Sequence, residues 1–177
     1  MTISCFEPIA DRRSQILILG SMPGVRSLQR QQYYAHQRNT FWPVMSALLG
    51  VDFGDDFSVK KQCLLEHGIA LWDVLQNCSR PGSLDSRIDM ETIQVNDFAG
   101  FFEQSPAVKA VFFNGAKAEA VYKKQVLINL PEPWRNIHYQ RLPSTSPAHA
   151  ALSFEDKLAQ WRSILPFLPA DICAKVK

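Results

Sequence analysis

Four short runs with apolar residues in the majority or in alternation punctuate the chain: ILIL at 16–19, IALWDV at 69–74, VKAVFF at 108–113 and IHYQRL at 137–142. Runs of this length, rich in β-branched and aromatic side chains, predict buried strands. The stretches between them have a different period. Residues 39–49 carry Phe41, Val44, Met45, Leu48 and Leu49 at helical spacing, with Pro43 in the first turn, where its missing amide hydrogen matters little, and Gly50 as the stop. Residues 57–66 (FSVKKQCLLE) predict a second helix, which Gly68 ends. Asn96 is expected to cap a helix over 97–104, another follows Asn114 and Gly115 over 116–124, and Ser153 is expected to cap a helix carrying Phe154, Leu158, Trp161 and Ile164. Residues 75–91 (LQNCSRPGSLDSRIDME) show neither period and read as a long polar loop.

Alternation of strands with helices predicts an α/β fold, a three-layer α/β/α sandwich with a central, mainly parallel four-stranded sheet. Ligands of such folds bind beyond the carboxyl ends of the strands. Four polar segments fall there: residues 20–42, the loop after LWDV, the FFNG turn at 112–115, and PSTSPAHA at 143–150.

Composition narrows the class. With 177 residues, 46% hydrophobic and 20% charged, and no linker-like tract or repeat, a single domain spanning 1–177 is expected. No apolar stretch approaches the roughly 18 residues of a membrane span. The start, MTISCFEPIADRRS, lacks a basic segment followed by an apolar core, so a cytoplasmic location is expected. Cys5, Cys63, Cys78 and Cys173 have no C-x-x-C spacing, which argues for reduced thiols and against zinc or an iron–sulfur cluster; neither metal nor organic cofactor is expected. A net charge of +2 does not announce a nucleic-acid binder, but Arg26, Arg30, Arg38, Arg80, Arg87 and Arg141 lie in or beside loops, where phosphates could be met.

The first polar segment, GSMPGVRSLQRQQYYAHQRNTFW, holds far more polar and aromatic chemistry than a connection needs. Gly20 and Gly24 allow backbone to approach a ligand, and Pro23 fixes the turn between them. Together with P-S-T-S-P-A at 143–148, the pattern G-S-M-P-G followed by Y-Y-A-H-x-x-N-x-F-W resembles the uracil-DNA glycosylase superfamily, most closely its hypoxanthine-DNA (deoxyinosine) glycosylase branch. The resemblance spans nearly the whole chain. One departure is His149, where many members of that branch carry asparagine.

The resemblance implies DNA, double- or single-stranded, carrying a deaminated base, and an enzyme that leaves an abasic site; a monomer is expected. An enzyme acting on a base inside a duplex must extrude the nucleotide into a pocket that stacks and reads it. Tyr34 matches the aromatic position on which the flipped base stacks, with Tyr33 in support, while Phe41 and Trp42 fit the core. Ser21 and Met22 would present their amides to base or deoxyribose. Several sister families carry a catalytic Asp or Asn inside the glycine–proline turn, where this chain has Met22, so the catalytic part passes to Asn39. Its carboxamide is too weakly basic to be a general base; it would orient the attacking water. The competing reading is that Asn39 only caps the next helix.

Asn114 is placed to read the base edge. Ser144, Thr145 and Ser146 offer hydroxyls and amides to phosphates. His149 is placed to meet a phosphate or the base, or to hold a neighbouring loop; His36 fits an organising role in the first loop. Asp73 is expected to make a structural hydrogen bond and Asp85 a further polar contact, and the loop 80–87 (RPGSLDSR) lies where DNA could be touched. Neither motif contains a lysine to form an imine, so strand cleavage is not expected. Three alternatives stand beside this reading: a uracil or mismatch-specific glycosylase of the same superfamily, a catalytically silent nucleic-acid-binding domain, and a serine hydrolase. The last lacks a G-x-S-x-G elbow.

Overall fold

The computed structural model describes residues 2–175, with side chains through 172, so the Cys173 thiol lies outside the described residues. In chain order the elements are β1 (Thr2–Ser4), β2 (Ile16–Gly20), α1 (Val25–Arg30), α2 (Phe41–Leu49), α3 (Phe57–Glu66), β3 (Ile69–Asp73), β4 (Leu75–Ser79), β5 (Asp89–Val95) and α4 (Phe98–Gln104). They continue with β6 (Ala110–Asn114), α5 (Ala116–Val121), α6 (Glu132–Arg135), β7 (His138–Leu142), α7 (Phe154–Trp161) and α8 (Ala170–Lys175).

The central sheet has the order β3-β2-β6-β7, and all three of its strand pairings are parallel. Its middle strands are apolar throughout because both faces are covered. Ile16 and Ile18 of β2 join Ile69, Leu71, Ala110 and Phe112 in one core, under α2, α3, α7 and the C-terminal segment. Leu17 and Leu19 join Ala70, Trp72, Val111 and Phe113 in a second core, under α4 and α5. Each fully buried aliphatic side chain contributes about 1.5–3 kcal/mol, so the two-sided strands are the main cohesive element. The three-layer α/β/α architecture expected from the sequence is the one observed.

Three local expectations are corrected. The segment 75–91 is not a loop: β4 and β5 form an antiparallel hairpin that pairs with β1 in a separate three-stranded sheet. Register shifts between Leu75, Asn77 and Ser79 break the two-residue alternation that marks a strand in sequence, and β5 is largely exposed. The N-cap of α4 is Asp97, whose carboxylate accepts from the Gly100 amide at 3.0 Å. Asn96 instead donates to the Asp73 carbonyl at 2.8 Å. Finally, the first polar segment contains the short helix α1, and α2 begins at Phe41 with Thr40 at its N-cap.

Candidate active site

The carboxyl ends of β2, β3 and β6 open onto one cavity of about 340 Å³. Its lining draws on the turn 20–24, on Tyr34 and Asn39, on Asp73, on the hairpin loop 83–86, on Asn114 and on residues 144–149. The candidate site residues of the two motifs, Ser21, Met22, Tyr34, Asn39, Ser144, Thr145, Ser146 and His149, all border the same space, although the two motifs lie about 100 positions apart in the chain. Its size lies at the lower end of ligand pockets, roughly 300–1,000 Å³, which suits a nucleoside and excludes a duplex.

The turn after β2 is held from outside. The carbonyls of Gly20 and Ser21 accept from the amides of Val74 and Leu75 at 2.8 and 3.1 Å. Those of Met22 and Pro23 accept from Arg80, at 3.5 and 2.5 Å. Because a trans peptide points its N–H opposite to the preceding carbonyl, this arrangement turns the amides of Ser21, Met22 and Gly24 away from the hairpin. Met22 lines the cavity, and its side chain packs into the second core. Ser21 donates its hydroxyl to Asp85, 2.8 Å from both carboxylate oxygens. Arg80 also donates to the Gly82 carbonyl at 2.9 Å and lies 3.7 Å from Asp85. Its guanidinium is fully buried, so the expectation that Arg80 meets a phosphate is replaced by a structural role.

Tyr34 has a φ of +54°, a conformation that aromatic residues rarely adopt and that costs on the order of 1–3 kcal/mol. That backbone lays its ring against Phe41, with centroids 4.1 Å apart and planes 24° apart. Phe41 is wholly buried and does not line the cavity, whereas Tyr34 does. The fully buried Phe41 thus braces a ring that borders the site. Tyr33 is buried beside it and donates its hydroxyl to the Glu7 carbonyl at 3.1 Å.

Asn39 does two things. Its Oδ1 accepts from the Phe41 amide at 3.0 Å, in the manner of a helix cap, and the side chain lines the cavity. The fixed oxygen orients the carboxamide and leaves its N–H groups and one lone pair for other partners. His36 accepts from the Arg38 amide through Nδ1 at 3.1 Å, which matches an organising part in the loop.

Asn114 and Thr145 lock the second motif loop to the end of β6. Asn114 donates through Nδ2 to the Thr145 hydroxyl at 2.8 Å and accepts through Oδ1 from the Thr145 amide at 2.9 Å. Two of the four hydrogen-bonding sites on its amide are thereby used, and the Thr145 side chain is wholly buried. The Thr145 carbonyl accepts from the Thr40 amide at 3.0 Å, joining the two motif loops directly. Gly115 has a φ of +100°, and a Cβ on it would stand 3.1 Å from that of Ser144, so glycine is required where the loops cross. Ser144 and Ser146 accept from the amides of Ser146 and Ala148, which leaves both hydroxyl hydrogens free to donate outward. His149 also lines the cavity, and its carbonyl accepts from Lys157 Nζ at 2.8 Å.

Sequence reasoning underrated Asp73. The expected structural hydrogen bond is absent at Oδ2, which is buried without a partner among the described residues. The other oxygen, Oδ1, is 2.5 Å from where a Cβ on Gly20 would stand, so glycine is again required. Burial foremost, then the nearby Asp85 carboxylate, pushes the Asp73 carboxyl up to about 8, against a smaller opposing pull from Arg80. The Tyr34 hydroxyl is likewise buried without a partner; the Asn114 amide approaches it without meeting hydrogen-bond geometry. Burial first, then Asp73, raises that phenol well above its ordinary value. Lys157 was missed as well. Its signal was legible: a lysine between Phe154 and Leu158 in the apolar stripe of α7 must find a buried partner.

Among the described residues there is no group of three or more His, Cys, Asp or Glu side chains that could hold a metal, and no helix long and apolar enough to cross a membrane.

Residues 7–166 match the family model of the uracil DNA glycosylase superfamily. The chain is 35% identical over 162 residues to a protein of Methanosarcina acetivorans named hypoxanthine DNA glycosylase, covering 90% of this chain and 95% of that one. A protein of the same name from Methanosarcina barkeri is 36% identical over 114 residues, 64% of this chain and 71% of the relative. A solution NMR structure of a candidate uracil DNA glycosylase from Methanosarcina acetivorans superposes with a TM-score of 0.77 at 32% identity, covering 93% of this chain and 96% of that one.

Proposed function

This chain belongs to the uracil-DNA glycosylase superfamily, and on that footing we propose that it hydrolyses the N-glycosidic bond of a flipped deaminated base in DNA, hypoxanthine above all, leaving an abasic site. The observation that carries the reading is the convergence of both motif loops, tied together through Thr40 and Thr145, on one nucleoside-sized cavity. The names of the Methanosarcina relatives support hypoxanthine as the base.

In this reading the extruded base stacks on Tyr34, whose strained backbone and Phe41 support hold the ring ready before DNA arrives. The C1′–N9 bond breaks with its electron pair leaving on the base, and the sugar passes through an oxocarbenium-like state. Asn39, oriented by its bond to the Phe41 amide, positions the water that adds at C1′. The proton that water loses goes to the departing base, so the products are free hypoxanthine and an abasic sugar. The outward-turned amides of Ser21 and Met22 stabilise the charge that develops on the base, most effectively once the cavity is dry. Ser144, Ser146 and His149 form the phosphate-facing rim. Thr145 is wholly buried and ties the loop in place instead: its hydroxyl and amide bond to Asn114, and its carbonyl accepts from the Thr40 amide.

No lysine lines the cavity among the described residues, and the Lys157 amine that reaches the second loop from α7 is held by the His149 carbonyl, which favours water over an imine-forming nucleophile. The test is direct. Incubation with a duplex carrying one deoxyinosine is expected to release free hypoxanthine, seen by mass spectrometry, while the strand stays intact until alkali is added. Absence of free base would refute the assignment, and strand breaks without alkali would refute the water mechanism.

A further inference from the structure

Two polar atoms buried without hydrogen-bond partners, Asp73 Oδ2 and the Tyr34 hydroxyl, both belong to residues that line the cavity. They flank Gly20, where a Cβ would stand 2.5 Å from Asp73 Oδ1 and 3.1 Å from the Tyr34 hydroxyl. Leaving such groups unpaired in the free protein is costly, and a ligand that satisfies them recovers that cost. Asp73 is only 3% exposed, so it is not solvated in place of a ligand.

We propose that Asp73 is a further catalytic residue: as a neutral carboxylic acid it donates a hydrogen bond to the carbonyl oxygen of the flipped base and accepts one from the adjacent ring N–H. This rests on the glycosylase reading given above. Hypoxanthine presents O6 beside N1–H, a donor–acceptor pair to which a carboxylic acid is complementary. A carboxylate would keep the N–H contact but set an anionic oxygen against O6. As the C1′–N9 electron pair moves onto the base, negative charge reaches O6, and the hydrogen bond from Asp73 strengthens in the transition state. No proton needs to be transferred to O6.

The surroundings keep the acid protonated. Burial and the Asp85 carboxylate, from the hairpin loop, raise its ionisation to about 8, while Arg80 at the hairpin opposes. Tyr34 and Tyr33 from the first loop and Cys5 from the N-terminal segment are the other titratable neighbours, and all three are themselves pushed up, chiefly by burial. Among the described residues, Arg80 is the cation that enters the balance at Asp73.

The test is the pH profile of single-turnover excision from deoxyinosine duplex by wild type, Asp73→Asn and Asp73→Ala, each checked for folding by thermal melting. Wild type is expected to lose rate above about pH 8 as the donor ionises. Asp73→Asn keeps a donor and an acceptor that cannot ionise, so its rate, whatever its level, should lose that alkaline limb; Asp73→Ala should fall by about 100-fold below pH 8, with the gap to wild type narrowing above it. An alkaline limb that persists in Asp73→Asn belongs to the substrate or another group and overturns the proposal, as does Asp73→Ala at the wild-type rate below pH 8. Carboxyl-carbon NMR of the wild-type protein gives a second reading that needs no variant: an Asp73 signal titrating in the ordinary carboxylate range also overturns it. If wild type releases no hypoxanthine at any pH, the glycosylase reading itself has failed; release by wild type with an unaffected Asp73→Ala defeats the Asp73 role alone.

Discussion

Asn39 combines a capping bond with a place in the cavity wall, so the two roles must be separated by magnitude. Loss of a cap costs about 1 kcal/mol of stability. Loss of water positioning and a transition-state contact should cost a rate factor of about 10² or more. Asn39→Ala is therefore expected to stay folded by circular dichroism, melt slightly earlier, and cleave deoxyinosine DNA at least 10²-fold more slowly, with little change in lesion binding. Cleavage at the parent rate would reduce Asn39 to a cap and move the search to Asn114 and His149. Tyr34→Ala should behave the other way, weakening lesion binding by roughly 1–3 kcal/mol through lost stacking, as read by titration. Asp73 carries a stability signature of its own. A group raised to about 8 from its ordinary 3.8 adds stability that is fully present below the ordinary value and is lost as pH rises through about 8. Asp73→Asn, which cannot ionise, should thus gain on wild type between pH 4 and 8, by on the order of 4 kcal/mol at pH 7. Urea melts of the two proteins that stay parallel across that range would contradict it.

At the scale of elements, the β4–β5 hairpin is the support of the first motif loop. Arg80, at the end of β4, holds two of its carbonyls, and Asp85 holds Ser21. Removing a buried guanidinium whose partners cannot be solvated costs about 3–5 kcal/mol, so Arg80→Ala should lower unfolding free energy by that amount. Lysine should not rescue it, because one ammonium cannot span the Gly82, Met22 and Pro23 carbonyls. A loss below about 1 kcal/mol in denaturant titration would show that the loop holds itself. This support was not legible in the sequence. Buried arginines in loops look like solvated ones until a partner is known, and the register shifts at Leu75 and Asn77 hid the strands. Strands β2, β3 and β6 of the central sheet were legible because both faces are buried and their runs are almost wholly apolar, whereas the edge strand β7 carries His138, Gln140 and Arg141 and is buried fully only at Leu142. Helix α2 was legible because Phe41, Val44, Met45, Leu48 and Leu49 bury one stripe. Asp73 shows the limit most clearly: LWDV marks a buried carboxylate, but whether it is satisfied depends on groups brought in from Gly20, Tyr34 and the hairpin.

Over the whole molecule, the parallel sheet brings together at one edge residues from 20 to 149, and the cavity they line is where we propose the chemistry takes place. Sequence motifs identified the two loops, and the fold supplies what they lacked: a hairpin brace, a Thr40–Thr145 tie and an unpaired acid. The account's central claim is that this site excises hypoxanthine in preference to uracil. It is tested most directly by matched single-turnover assays on duplexes of one sequence, with deoxyinosine or deoxyuridine at the same position and alkali used to reveal abasic sites. The expected result is faster excision from the deoxyinosine duplex, with uracil slow or untouched. Faster release of uracil, or no alkali-labile site at deoxyinosine, would contradict it.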